Sequence, residues 1–282
     1  MTAIAILFER NRMMIAADTL GYAPDRKSVR PLGFISKVMI IPHLRGVLFS
    51  RGMFQVTVES AASLLLSPQL ATIEAAADAL PEILIGHTEK YAARQGISDW
   101  PRLGLLELVF AGWSETENRM KLWQYISSDL FRPREDEEGH YGSLSFPRLP
   151  PKYAVVAADL SESDRLVAMV KAIDQYFTDE PGINCGQRVG GEIIVTDIVP
   201  SGIATRRLYR FADYEQTQHA AAATVARIGR GDLHVDVGAG LVPIADQVDS
   251  ETGKPLAQSA SIMSRQQRRQ AEREARKGRR AA

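Results

Sequence analysis

The sequence predicts an α+β domain, and three observations carry that reading. Short apolar runs of strand length open the chain in pairs, at Ala3–Phe8 with Met13–Ala17 and at Lys37–Ile41 with Val47–Phe49. Two long stretches with three-and-four periodicity follow, Val56–Leu66 and Ile73–Arg94. Further strand pairs and one more helical stretch complete the order, so that strands and helices come in runs rather than in βαβ alternation.

Each element has a local reason. Glu9-Arg10-Asn11-Arg12 is a polar turn between the first two apolar runs, which makes them a β-hairpin. Gly21–Gly33 is polar, contains Pro24 and Pro31, and is expected to be a loop. Pro42 and the Arg45-Gly46 turn separate the next two strands. Ala, Leu and Glu are abundant in the two helical stretches, and Ser67-Pro68 divides them. Leu103–Ala111 and Lys121–Ile126 form a strand pair across the polar turn Ser114–Asn118. Phe131–Pro151 is rich in charge, Gly and Pro and is expected to be a surface loop, with a strand expected at Tyr153–Ala158. Ser161 is placed to cap a helix running to Phe177, with Asp164 three residues on and Leu166, Val170 and Ile173 on one face. Gly191–Ile198 and Ile203–Tyr209 are a last hairpin across Val199-Pro200-Ser201-Gly202. After Phe211 the pattern weakens, although Ala212–Ile228 has the composition of one helix.

These readings divide the chain into a domain at 1–211, an irregular extension at 212–263 with capacity for one helix, and a basic, helix-capable tail at 264–282. The net charge of the 282 residues is zero, but it is unevenly spread. Between Arg265 and Arg280 eight basic residues stand against Glu272 and Glu274, giving the tail +6 and the rest of the chain −6. The tail has no aromatic residue for base stacking, so a solvated, partly disordered tail competes with binding of nucleic acid or of an acidic protein surface.

Cys185 is the one cysteine, which excludes an internal disulfide and a paired-cysteine zinc site and suits a reducing, cytoplasmic setting. The five histidines are scattered without a close ligand pair, so no metal or other cofactor is expected. Gly229-Arg230-Gly231-Asp232 and Gly238-Ala239-Gly240 lack the strand-to-helix setting of a phosphate loop. The opening MTAIAILFER has no basic leader and is too short for a signal peptide or a membrane span, and no other run approaches the apolar length of a span, so no membrane partner is expected.

The candidate chemistry lies at the start of the chain. Removal of Met1 would give Thr2 a free α-amine beside its own hydroxyl, and such an amine serves as the base for that hydroxyl. Taken singly, Thr2 reads as a strand residue, Asp18 as a strand-end acid and Lys37 as a solvated edge lysine. Their joint spacing is more specific. TAIAILFERNRMMIAAD resembles the start of mature proteasome β-subunits and of the related bacterial ATP-dependent peptidase subunit, N-terminal-nucleophile (Ntn) hydrolases. Ala16-Ala17-Asp18 stands at the family's distance from the opening Thr, Lys37 in SKVMII matches its lysine, and Gly52 in FSRG matches its oxyanion glycine. FAGWSETENRMKLWQYISSD and VGGEIIVTDIVPSGI resemble two later hairpins, so the resemblance spans residues 2 to 211 in order.

The resemblance implies a four-layer αββα sandwich of two antiparallel sheets flanked by helices. It implies a threonine-type peptidase or amidohydrolase acting on a peptide or amide substrate, with Thr2, Asp18, Lys37 and Gly52 as catalytic residues. It also implies a homo-oligomer, with a ring as the usual form. In that scheme Thr2 Oγ attacks a carbonyl carbon, Lys37 lowers the pKa of the amine, Asp18 holds Lys37, and the Gly52 N–H receives the oxyanion. The sequence departs from the pattern before Gly190-Gly191, where Gly186 and Val189 occupy positions usually held by Asp and Ser. A further supporting serine has Ser161 or Ser163 as its candidates. Those departures, with the long tail, leave a catalytically silent assembly subunit as the alternative and a nucleic-acid-associated protein as a weaker one.

Overall fold

The computed structural model describes residues 3–24, 29–103, 106–135, 142–146, 149–153, 159–180 and 188–230. Residues 245–282 lie wholly outside the described residues. The basic, helix-capable tail expected at 264–282 therefore falls outside them as well.

The opening hairpin forms as expected, with β1 at Ile4–Phe8 and β2 at Met13–Asp18 paired antiparallel. Every residue of both strands is buried, which is why they read as continuous apolar runs rather than as an alternation. Ile4, Ile6 and Phe8 face one core while Ala3, Ala5 and Leu7 face another, as the two-residue period of a strand requires. Arg12 in the polar turn is held by a two-pronged contact to Asp197, Nε to Oδ1 at 2.9 Å and Nη2 to Oδ2 at 2.7 Å.

The segment Gly21–Gly33 corrects the sequence reading. It is not a loop: β3 (Leu20–Pro24) and β4 (Val29–Phe34) form a separate two-stranded antiparallel sheet. A register shift between Gly21 and Tyr22 and the placement of Pro31 opposite Tyr22 explain the misreading. A two-stranded ribbon is all edge, and edges tolerate the proline and glycine that argue against a central strand.

Strand β5 is Val38–Ile41 and β6 is Gly46–Gly52, joined by a 3-10 turn at Pro42–Leu44. Helices α1 (Phe54–Leu65) and α2 (Ile73–Arg94) match the periodic stretches, and Thr72 caps α2 by accepting from the Ala75 N–H at 3.1 Å. A helical turn, α3 (Trp100–Leu103), precedes β7 (Leu106–Ser114) and β8 (Arg119–Ile126).

The Phe131–Pro151 segment is a second correction. It contains β9 (Arg134–Glu135), paired with β8, and β10 (Gly142–Phe146), paired antiparallel with β1. Gly142–Phe146 carries only two apolar side chains, Leu144 and Phe146, and is flanked by charge and proline, so no apolar run marks it in the sequence. Of the strand expected at Tyr153–Ala158, residues 154–158 lie outside the described residues, and Tyr153 ends a 3-10 turn. Helix α4 (Glu162–Asp179) begins where Ser161 accepts from the Asp164 N–H at 3.2 Å. Strands β11 (Glu192–Val199) and β12 (Gly202–Arg210) form the closing hairpin, and α5 (Tyr214–Gly229) follows.

All described strand pairs are antiparallel. One five-stranded sheet runs β10-β1-β2-β11-β12 and the other β5-β6-β7-β8-β9. Three apolar cores organise them. One joins the second sheet, through Leu48, Leu108, Phe110 and Tyr125, to α1 and α2. Another joins the two sheets, with Ile4, Ile6, Ile15 and Ile198 against Val47, Phe49, Val109 and Leu122. The third joins the first sheet to α4 through Leu166, Val170, Ile173 and Phe177. Helix α5 packs on β4, where the rings of Phe34 and Tyr214 stack with centroids 4.5 Å apart.

Candidate functional site

Strand β2 ends on Asp18, a carboxylate buried among apolar neighbours. A buried charge persists only when paired and hydrogen-bonded, and every partner of this one bears on the candidate site. Its Oδ1 accepts from Lys37 Nζ at 2.6 Å and from the Ala3 N–H at 3.0 Å. Its Oδ2 accepts from the Gly190 N–H at 3.3 Å. The Asp18 N–H in turn donates to the Ala3 carbonyl at 3.3 Å. The residue after Thr2 is thus fastened at both its N–H and its C=O to Asp18.

Lys37 stands just before β5 and is 5% exposed. Its pKa lies below the usual lysine value because burial disfavours the ammonium, and the Asp18 charge and hydrogen bond act in the opposite direction. Gly52 ends β6 with φ +111, a conformation that glycine adopts readily and other residues seldom do. It is paired in register with Leu106.

Asp18 and Lys37 are therefore brought together, and Gly52 closes the strand that pairs with β5 and β7. Thr2, Cys185 and Gly186 lie outside the described residues, as does the basic run Arg265–Arg280. Ser161 is engaged as the cap of α4, and the Ser163 hydroxyl lies 3.1 Å from Arg206 Nη2. Val189 packs into the core beside α4.

Sequence reasoning missed the residues that hold the turn into β11. The Tyr22 hydroxyl donates to the Arg188 carbonyl at 2.8 Å and accepts from the Arg188 N–H at 2.9 Å. Burial is the largest cause raising the Tyr22 pKa above the usual phenol range. Asp174 Oδ1 accepts from the Val189 N–H at 3.2 Å. Burial, as the largest cause, raises the Asp174 pKa; the Val189 N–H and Arg188 act against the rise, and the charges of Asp18 and Asp213 add to it. Thr19 Oγ1 accepts from the Glu192 N–H at 2.9 Å, and the Leu20 N–H donates to the Gly190 carbonyl at 3.2 Å. The approach is close, and Gly191 is the position that requires glycine. A Cβ on Gly190 would lie 2.8 Å from Leu20 Cδ2, and Gly191, at φ +79, would place one 2.5 Å from Thr19 Oγ1. The available signal for Asp174 was a carboxylate four residues after Val170, beside the apolar stripe of α4.

A Ser-His-acid contact elsewhere has a plainer role. Ser63 Oγ lies 2.9 Å from His87 Nε2, and His87 Nδ1 lies 3.1 Å from Glu59 Oε2. Ser63 sits within α1, where backbone N–H groups are committed to the helix and cannot receive an oxyanion, so the trio clasps α1 to α2. Among the described residues no group of three or more His, Cys, Asp or Glu is placed to hold a metal ion, and no helix is long and apolar enough to cross a membrane.

The fold is mixed α/β with antiparallel sheets, and its buried acid–lysine pair lies at the chain's opening strand. No protein-family model matches the chain, and no curated protein matches it. Among solved structures it is similar to Anbu (ancestral beta-subunit) from Yersinia bercovieri, at 12% identity and a TM-score of 0.51, covering 82% of this chain and 96% of that chain. It is also similar to an Anbu (Gly-1) mutant from Hyphomicrobium sp. strain MC1, at 18% identity and a TM-score of 0.46, covering 82% and 97% of the two chains.

Proposed function

We propose that this chain is a threonine-type Ntn hydrolase of the proteasome β-subunit-like family. In this reading the three apolar cores are the seams of a four-layer αββα sandwich. The observation that carries the proposal is the shared Asp18 Oδ1, which accepts from both Lys37 Nζ and the Ala3 N–H. One carboxylate oxygen thus ties the cation to the backbone of the residue covalently joined to Thr2. The likeness in fold to Anbu, named an ancestral beta-subunit, supports the same reading.

With Met1 removed, Thr2 Oγ attacks the carbonyl carbon of a peptide or amide while its proton passes to the Thr2 α-amine, directly or through a water. In this reading the Lys37 charge keeps that amine deprotonated enough to serve as base. The oxyanion is received by the Gly52 N–H, the protonated amine donates its proton to the leaving amine, and water then hydrolyses the acyl-enzyme. Treatment with a β-lactone or epoxyketone probe tests the proposal. It predicts one covalent adduct on Thr2 that is absent from Thr2→Ala, and an absence of adduct in the wild-type protein overturns it.

A second reading, a catalytically silent assembly subunit, is favoured by one observation. Val189, at a position the family usually gives to serine, is packed in the α4 core. Unchanged assembly and cell phenotype of Thr2→Ala, together with no labelling, is its signature.

A further inference from the structure

Three consecutive residues lead into β11, and each is held by a different side chain. Arg188 is clasped at both backbone groups by the Tyr22 hydroxyl, at 2.8 and 2.9 Å. The Val189 N–H goes to Asp174 Oδ1 at 3.2 Å, and the next N–H, that of Gly190, goes to Asp18 Oδ2 at 3.3 Å. Two carboxylates from different elements, the end of β2 and the fourth turn of α4, therefore grip adjacent amides of one strand entry.

This arrangement constrains Asp18. Its Oδ1 serves Lys37 and Ala3, so the plane of the carboxylate is set by where Gly190 presents its N–H to Oδ2. The peptide that carries the Gly190 N–H follows directly from Val189. Lost hold on Val189 would let that peptide rotate and turn Asp18 with it.

We propose that Asp174 is a positioning residue that orients Asp18, and through it the Lys37 ammonium, by holding the Arg188-Val189 peptide and so limiting rotation of the Val189-Gly190 peptide that follows it. The inference rests on Asp18 and Lys37 serving Thr2, and its test separates the two claims. Full-length wild type, Asp174→Ala and Asp174→Asn are compared by residue-resolved amide hydrogen exchange and by the kinetics of acylation with a β-lactone probe. Asp174→Asn keeps an oxygen able to accept from Val189.

Asp174→Ala is expected to speed exchange at both Val189 and Gly190 by about tenfold or more, the loss of a net hydrogen bond of roughly 1.4 kcal/mol. Its limiting acylation rate is expected to fall about 10- to 100-fold with the half-saturating probe concentration little changed, the mark of misplaced groups rather than lost binding. Asp174→Asn is expected to restore both exchange and acylation to near wild type. If Asp174→Ala does not fold, Asp174→Ser, whose hydroxyl is too short to reach Val189, takes its place. Unchanged exchange at Gly190 in the alanine variant, or an asparagine variant as impaired as alanine, overturns the inference. If the wild type fails to acylate, the hydrolase reading falls, and exchange at Gly190 still decides whether Asp174 fixes the peptide that Asp18 holds.

Discussion

Lys37 Nζ lies 2.6 Å from Asp18 Oδ1, and both groups are almost completely removed from water. Desolvating two charges is expensive, and their attraction offsets that cost only while both are present. Lys37→Met leaves an unpaired carboxylate in an apolar setting and is expected to cost about 3–5 kcal/mol. The double variant Asp18→Asn/Lys37→Met removes both charges and is expected to recover part of that loss. Urea denaturation of the two variants checks the order.

Asp174 gives the pH dependence. Its pKa in the folded protein is raised above the ordinary value, so the folded state binds this proton more tightly than the unfolded state does. The resulting stabilisation is fully present below the unfolded pKa and is lost as pH rises through the folded one. Asp174→Asn removes this dependence while retaining an acceptor for Val189. The stability of the asparagine variant relative to wild type is therefore expected to increase from pH 3.5 to pH 7. Urea midpoints across that range measure it, and a difference that falls with pH contradicts it.

Two glycines should respond with opposite signs. Gly191 has φ +79 and no room for a Cβ beside Thr19 and Phe34, so Gly191→Ala is expected to lose about 2 kcal/mol or more. Gly86 lies inside α2 with nothing within 4 Å of an added Cβ, so Gly86→Ala is expected to gain about 0.5–1 kcal/mol. Thermal or urea unfolding of the two variants decides both signs.

The α4 cap makes a smaller contribution. Ser161 Oγ accepts from the Asp164 N–H, so Ser161→Ala is expected to cost about 1 kcal/mol, and Ser161→Asp to retain most of the stability. Urea denaturation measures both, and unchanged acylation of the alanine variant by a β-lactone probe would show that Ser161 serves the helix alone.

Much of this architecture was legible because its strands announce themselves as short apolar runs and its helices by period. The β1–β2 hairpin, α1, α2 and the β11–β12 hairpin lie within a few residues of where apolar spacing puts them. The β3–β4 ribbon was hidden by Pro24, Pro31 and a register shift, and β10 by the glycine, proline and charge that surround its two apolar residues. At the candidate site, Asp18 and Lys37 stand at the ends of readable strands and were singled out by the resemblance to proteasome β-subunits, which places an acid and a lysine there. Tyr22 and Asp174 could not be singled out, because their roles depend on Arg188 and Val189, residues more than 160 and about 15 positions away. No local pattern encodes a hydrogen bond to a distant backbone.

The most direct test of the central claim is the intact mass of the purified protein before and after reaction with a β-lactone probe, with the adduct mapped by fragmentation. The account predicts a starting mass lacking Met1 and a single adduct on Thr2 that disappears in Thr2→Ala. A mature protein that retains Met1, with Thr2 unmodified, would contradict it.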